Sequence, residues 1–146
     1  VTVYNPYTLK FKDVSFAASD NDNNWPVIRY ADVMLMYAEA LNEANNGPNT
    51  VAYDMMNQVR DRAGLAALPT GLNKTDFAAA VAHERQVELA FEGHRWFDLV
   101  RTGKAVEVMN AHFAGTITVK PFQLVCPIPQ TEININPSVI LQNTGY

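Results

Sequence analysis

Residues 83–101 constrain this chain more than any other stretch, because they crowd seven charges and three large aromatics into a run that otherwise reads as buried helix. With 3.6 residues per turn, Phe77, Ala80, Val81, Val87 and Phe91 fall within about 60° either side of Glu84, and Glu88 lies inside the same arc. Two carboxylates therefore sit on an apolar face. Burying an unpaired carboxylate costs several kcal/mol, so cationic partners must reach them from elsewhere in the chain. Arg95 and Arg101 are nearest in sequence, with Arg29, Arg60 and Arg62 further away, and Asp98 can pair with Arg95 or Arg101 three residues along. The expectation is a structural ion-pair network of Arg29, Glu84, Glu88, Arg95, Asp98 and Arg101 that docks the helices.

Upstream, residues 30–44 read as a helix with Asp32, Glu39, Asn42 and Glu43 on a narrow polar stripe and apolar side chains over most of the rest, so it must be covered on more than one side. Asn45-Asn46-Gly47-Pro48 turns the chain. A second helix begins at an Asn49 or Thr50 cap, carries Val51, Ala52, Met55, Met56, Val59 and Ala63 on one face, and stops at Gly64. The pair makes an antiparallel hairpin of tetratricopeptide length, although that repeat's residue pattern is absent. Thr75 is expected to cap a third helix running to about Phe91, where Gly93 bends or ends it. A short fourth helix puts Trp96 and Val100 on one buried side and closes at Gly103.

Outside the helices, Thr8–Lys12 and Thr116–Val119 alternate like strands, while Pro121, Pro127, Pro129 and Pro137 forbid long helices in the tail. The tail should lie extended over the helices through Phe122, Leu124, Ile128, Ile133 and Ile140. The fold class expected is all-α: antiparallel helix pairs of tetratricopeptide-like superhelical type, with an extended proline-rich C-terminal tail and little β. Residues 1–146 form one segment, with a lead-in over 1–27, a helical core over 28–104 and the tail over 105–146.

A net charge of −4, with no run of lysine or arginine, excludes a nucleic-acid partner. Cys126 is the only cysteine, so an internal disulfide or a cysteine zinc site is impossible, and it reads as a small buried apolar residue. Asp20, Asp22 and Asn24 imitate the opening of a calcium loop, but Trp25 stands where that loop needs glycine. His83-Glu84 opens a zinc-protease pattern that Val87 breaks. Glu84, Glu88 and Glu92, one turn apart, invite a glycoside hydrolase reading, but such enzymes present their acids across an open cleft and not from one buried helix face. No catalytic residue, metal site or cofactor is expected. Aromatic residues able to stack on a sugar are Trp25, Trp96, Tyr4, Tyr7 and Tyr146, and Trp25 is the ligand-binding candidate because it sits in a polar loop.

Four runs resemble the SusD/RagB family in order: Trp25-Pro26-Val27-Ile28-Arg29-Tyr30-Ala31-Asp32 continuing to Glu43, Asn57-Gln58-Val59-Arg60-Asp61-Arg62-Ala63-Gly64-Leu65, Glu84 through Arg101, and Pro127-Ile128-Pro129-Gln130 through Tyr146. The resemblance implies the carboxyl-terminal quarter or third of a surface lipoprotein of the bacterial outer membrane. Such a protein binds a glycan or oligosaccharide without hydrolysing it and works as a lid on a TonB-dependent, SusC-like transporter. Its membrane attachment would be a lipid anchor outside this chain. The alternatives are a helical-repeat scaffold for a protein partner and, third, a glycoside hydrolase.

Overall fold

The computed structural model describes residues 8–12 and 23–146, which form two compact units, 1–94 and 95–146. Among the described residues all regular structure is helical. The first unit contains α1 (Tyr30–Ala44), α2 (Thr50–Arg62) and α3 (Lys74–Glu88). The second contains α4 (Arg95–Arg101), α5 (Ala105–Phe113), a 3₁₀ turn at Pro121–Leu124 and α6 (Gln130–Ile135).

In the first unit α1 packs against both α2 and α3. Met34, Leu35 and Ala38 of α1 meet Ala52, Met56 and Val59 of α2 and Phe77 and Val81 of α3 in one core. Both ends of α1 fix its direction relative to α3. Arg29, just before α1, binds Glu88 at the end of α3, while Asn42 Nδ2 donates to Lys74 O at its start, 3.0 Å away. The two helices are therefore antiparallel. Asp32 and Asn42, expected on a solvated stripe, are instead buried. Both lie on the side of α1 that meets α3, where Asp32 pairs with Arg85 and the Asn42 amide donates to Lys74 O.

Local chemistry sets the boundaries. Asn49 Oδ1 accepts from Ala52 N at 2.9 Å and caps α2. Gly64, at φ 72°, ends it by the paired bonds Gly64 N–Asp61 O and Leu65 N–Arg60 O, the arrangement that a left-handed glycine allows. The loop that follows is stitched to α2: Arg60 Nε donates to Ala66 O, Leu68 N to Asn57 Oδ1, and Leu72 N to the Tyr53 hydroxyl, each at 2.9 Å. Tyr53 also meets Phe77 edge to face, with centroids 5.1 Å apart. Asn73, and not the expected Thr75, caps α3, because its Oδ1 accepts from Asp76 N at 2.9 Å. Helix α3 stops at Glu88, three residues before the expected end, and Phe91 takes a left-handed φ of 67°. The cause is electrostatic: Lys10 and Arg29 satisfy the terminal carbonyls that another turn would have used.

Neither expected strand forms. Residues 8–12 make a turn closed by Lys12 N–Leu9 O, and residues 116–119 are irregular. Val119 is instead held at N and O by the side-chain amide of Asn110, at 2.7 and 3.1 Å. That amide belongs to α5, a helix at the start of what was expected to be an extended tail. Gln142 grips Ile128 the same way, at 2.8 and 2.9 Å. In the second unit, side-chain amides thus do what a partner strand would do. The chain end closes on Phe122, whose ring is edge-on to Tyr146 and so near Gly145 that a Cβ there would lie 2.5 Å from it. Cys126, expected to be buried, is exposed, and Trp96, expected in the core, is 37 % exposed. On α4 the core-facing positions are Asp98 and Leu99.

Candidate functional site

The end of α3 is an electrostatic knot. Arg29 donates from Nε to Glu92 Oε2 and from Nη2 to Glu92 Oε1, both at 2.8 Å. Its Nη1 lies 2.8 Å from Glu88 Oε1, and its Nη2 also reaches Glu88 O at 2.9 Å. Lys10 adds a contact to Glu92 Oε1 at 2.5 Å and bonds to Glu88 O and Ala90 O at 2.9 Å. Arg62 binds Glu88 Oε2 from the outer side. Two further pairs brace the same helices: Arg60 Nη1 with Glu84 Oε2 at 2.8 Å, and Arg85 Nη1 with buried Asp32 Oδ1 at 2.7 Å.

These pairings set the charge states. Burial alone would raise the pKa of Glu92, but the hydrogen bonds from Arg29 and Lys10 outweigh it and hold the carboxyl below its ordinary value. The hydrogen bond to Glu92 is the largest influence on Arg29 and drives its pKa up, against the desolvation that would lower it. Both oxygens of Glu88 and both of Glu92 accept from cations.

Above the knot lies a cleft of about 480 Å³. Lys10, Arg29, Arg62, Glu88 and Glu92 line its charged side; Phe11, Asn23, Asn24, Pro26 and Val87 complete it. Beside Asn24 and Pro26, Trp25 is 58 % exposed and stacks on Phe11 with centroids 5.0 Å apart and planes 17° from parallel. The cleft thus combines amide groups, cations held by carboxylates, and an adjacent aromatic platform, a mixture suited to a polar ligand with apolar faces.

The sequence-derived candidates separate as follows. Arg29, Glu84 and Glu88 lie in this unit, and their partners include Arg60, Arg62 and Lys10 as well as one another. Asp98 and Arg101 pair in α4 at 2.8 Å, and Arg95 opens that helix. The expected apolar arc around Glu84 is half realised: Phe77 and Val81 are buried, whereas Val87 and Phe91 are 57 % and 72 % exposed. The early end of α3 removes Phe91 from the helix, whereas Val87 is still within α3 and lines the cleft. Tyr4, Tyr7, Asp20 and Asp22 lie outside the described residues. Tyr146 donates its hydroxyl to Val125 O at 2.9 Å and serves the tail. Sequence reasoning missed Lys10 altogether, placed Asp32 on the wrong side of α1, and left Glu92 out of the network although its one-turn spacing from Glu88 was visible.

Helices built on a tetratricopeptide-like pair, with this arginine-led helix and an ion-paired third helix, define a class of helical scaffold. The SusD family model matches residues 2–146. Among curated relatives, SusD-like protein P38 of Formosa agariphila is 40 % identical over 109 residues, 69 % of this chain and 21 % of that protein. SusD-like protein P25 of the same organism is 34 % identical over 97 % of this chain and 29 % of its own length. Among solved structures, a SusD homolog from Bacteroides thetaiotaomicron superposes with a TM-score of 0.77 at 36 % identity, covering 86 % of this chain and 28 % of that one. A SusD superfamily protein from Parabacteroides distasonis gives 0.73 at 40 % identity over the same shares. The chain belongs to the SusD family. It spans between about a fifth and a third of the length of the curated relatives it matches.

Proposed function

We propose that the whole protein containing this chain is a non-enzymatic glycan-binding component of an outer-membrane uptake system, held at the cell surface by a lipid anchor and working with a TonB-dependent, SusC-like barrel. Family membership across residues 2–146 carries this reading. The site supports it, because the stacked Trp25–Phe11 pair offers an aromatic face of the kind that packs against a sugar ring, next to the amides of Asn23 and Asn24. The carboxylates that a glycoside hydrolase would need are engaged with arginine: Glu84 is buried against Arg60, and Glu88 is held by Arg29 and Arg62. No helix among the described residues is long and apolar enough to cross a membrane.

The test is a glycan array with the whole protein, followed by calorimetry on any positive oligosaccharide. Binding with the sugar recovered intact is expected, and Trp25→Ala should weaken it about tenfold if the platform stacks on the ligand. Release of a cleaved product would overturn the reading, and unchanged affinity in Trp25→Ala would remove the platform from it.

A further inference from the structure

Charge is layered in the cleft at the end of α3. Among the described residues three cations and two carboxylates line it, which leaves one positive charge over. The acids lie underneath: the side chains of Glu88 and Glu92 are 11 % and 1 % exposed, against 24 % for Arg29, 31 % for Lys10 and 60 % for Arg62. All four carboxylate oxygens already accept from cations. A ligand entering the cleft therefore meets positive groups first. These cations differ in what they can still donate. The ammonium of Lys10 has three donors and three acceptors, Glu88 O, Ala90 O and Glu92 Oε1. Arg29 directs its fork at Glu88 and Glu92. Arg62 carries the same fork of N–H donors but has, among the described residues, one acceptor, Glu88 Oε2.

We propose, resting on the reading of the whole protein as a glycan binder, that this cleft takes an acidic oligosaccharide and that Arg62 selects for its acid group. The planar guanidinium matches the paired oxygens of a carboxylate or a sulfate ester, and both are recognised by the same chemistry. Phe11 lines the cleft and stacks on Trp25, so a ring face is offered beside the charge. A neutral sugar can use that face but leaves the fork of Arg62 to water. A cationic sugar finds no open carboxylate oxygen and meets three positive groups. Arg62 can also be replaced without stranding an acid, because Arg29 Nη1 still holds Glu88 Oε1 at 2.8 Å.

The whole protein is tested on an array of matched pairs, uronic-acid oligosaccharides beside their methyl esters and sulfated ones beside their desulfated forms, with calorimetry on the strongest pair at low and high salt. The kind of pair that responds tells carboxylate from sulfate. The acidic member is expected to bind about tenfold tighter than its neutral form, with the difference narrowing as salt screens the contact. Arg62→Gln should weaken the acidic member about tenfold and leave the neutral one within about twofold, and Arg62→Lys should restore part of the preference, since it keeps the charge without the fork. Neutral members that bind as tightly as acidic ones overturn the proposal and leave the glycan-binding reading standing. So does an acid preference that survives Arg62→Gln, or an equal loss for both members, which makes Arg62 a structural prop of Glu88. Failure to bind any glycan, acidic or neutral, overturns the reading and the proposal together.

Discussion

Asp32 and Glu43 are both acids on α1, yet they should respond to truncation in different ways. Asp32 is buried against Arg85, whereas Glu43 meets Lys74 at 2.6 Å in solvent. Removing one member of a buried pair costs about 3–5 kcal/mol, while an exposed pair contributes under about 1 kcal/mol. In the whole protein Asp32→Ala is therefore expected to lower the thermal midpoint by many degrees and Glu43→Ala by almost none; equal shifts in a melting series would contradict the burial of Asp32. Glu92 carries a pH signature of its own. Its folded pKa is depressed, so its charged form stabilises the fold above the ordinary carboxylate value of about 4.3, and that contribution is lost as pH falls through the depressed value. The stability gap between the wild type and Glu92→Gln should be full at pH 6 and shrink below about pH 4. Denaturant midpoints across that range would expose a pH-independent gap, which would mean that Glu92 acts by packing and not by charge.

Helix existence in this chain was legible where periodicity, glycine stops and caps agreed, as at Tyr30–Ala44 and at the Gly64 and Gly103 ends. It failed where long-range partners decided the outcome. The early stop of α3 depends on Lys10 and Arg29, about 60 to 80 residues away, and no local signal in residues 84–93 announces them. The same holds for residue 119, which alternates like a strand but is claimed by the Asn110 amide. In the candidate site, the paired acids and Arg29 could be read from sequence because charge on an apolar face demands compensation. The Phe11–Trp25 stack could not, because both residues lie in irregular chain where spacing carries no geometry. The cap of α3 was a choice between two competent side chains, Asn73 and Thr75, two residues apart. Losing a working N-cap costs about 1 kcal/mol. Asn73→Ala should show that loss in chemical denaturation and Thr75→Ala only a few tenths; the reverse order would return the cap to Thr75.

Exposed apolar side chains recur among the described residues. On the outer face of α1, Tyr30, Val33, Met36 and Tyr37 are exposed; Val27, Ile28, Phe91 and Phe97 are largely exposed too, as are Ile135, Val139 and Leu141 in the tail. Monomeric proteins seldom leave contiguous apolar patches of more than a few hundred Å² in water. The outer face of α1, with Val27 and Ile28 beside it, runs along the helix as an exposed apolar surface. Leu35, Met56, Phe77 and Val81 are enclosed in the core of the first unit, on the other side of α1. An ordered apolar face self-associates. Sedimentation of residues 1–146 should therefore show mass rising with concentration, and Val33→Lys together with Tyr37→Lys should abolish that rise while leaving the helical circular dichroism intact. A short chain that stays monomeric at every concentration would mean that the outer face of α1 does not self-associate.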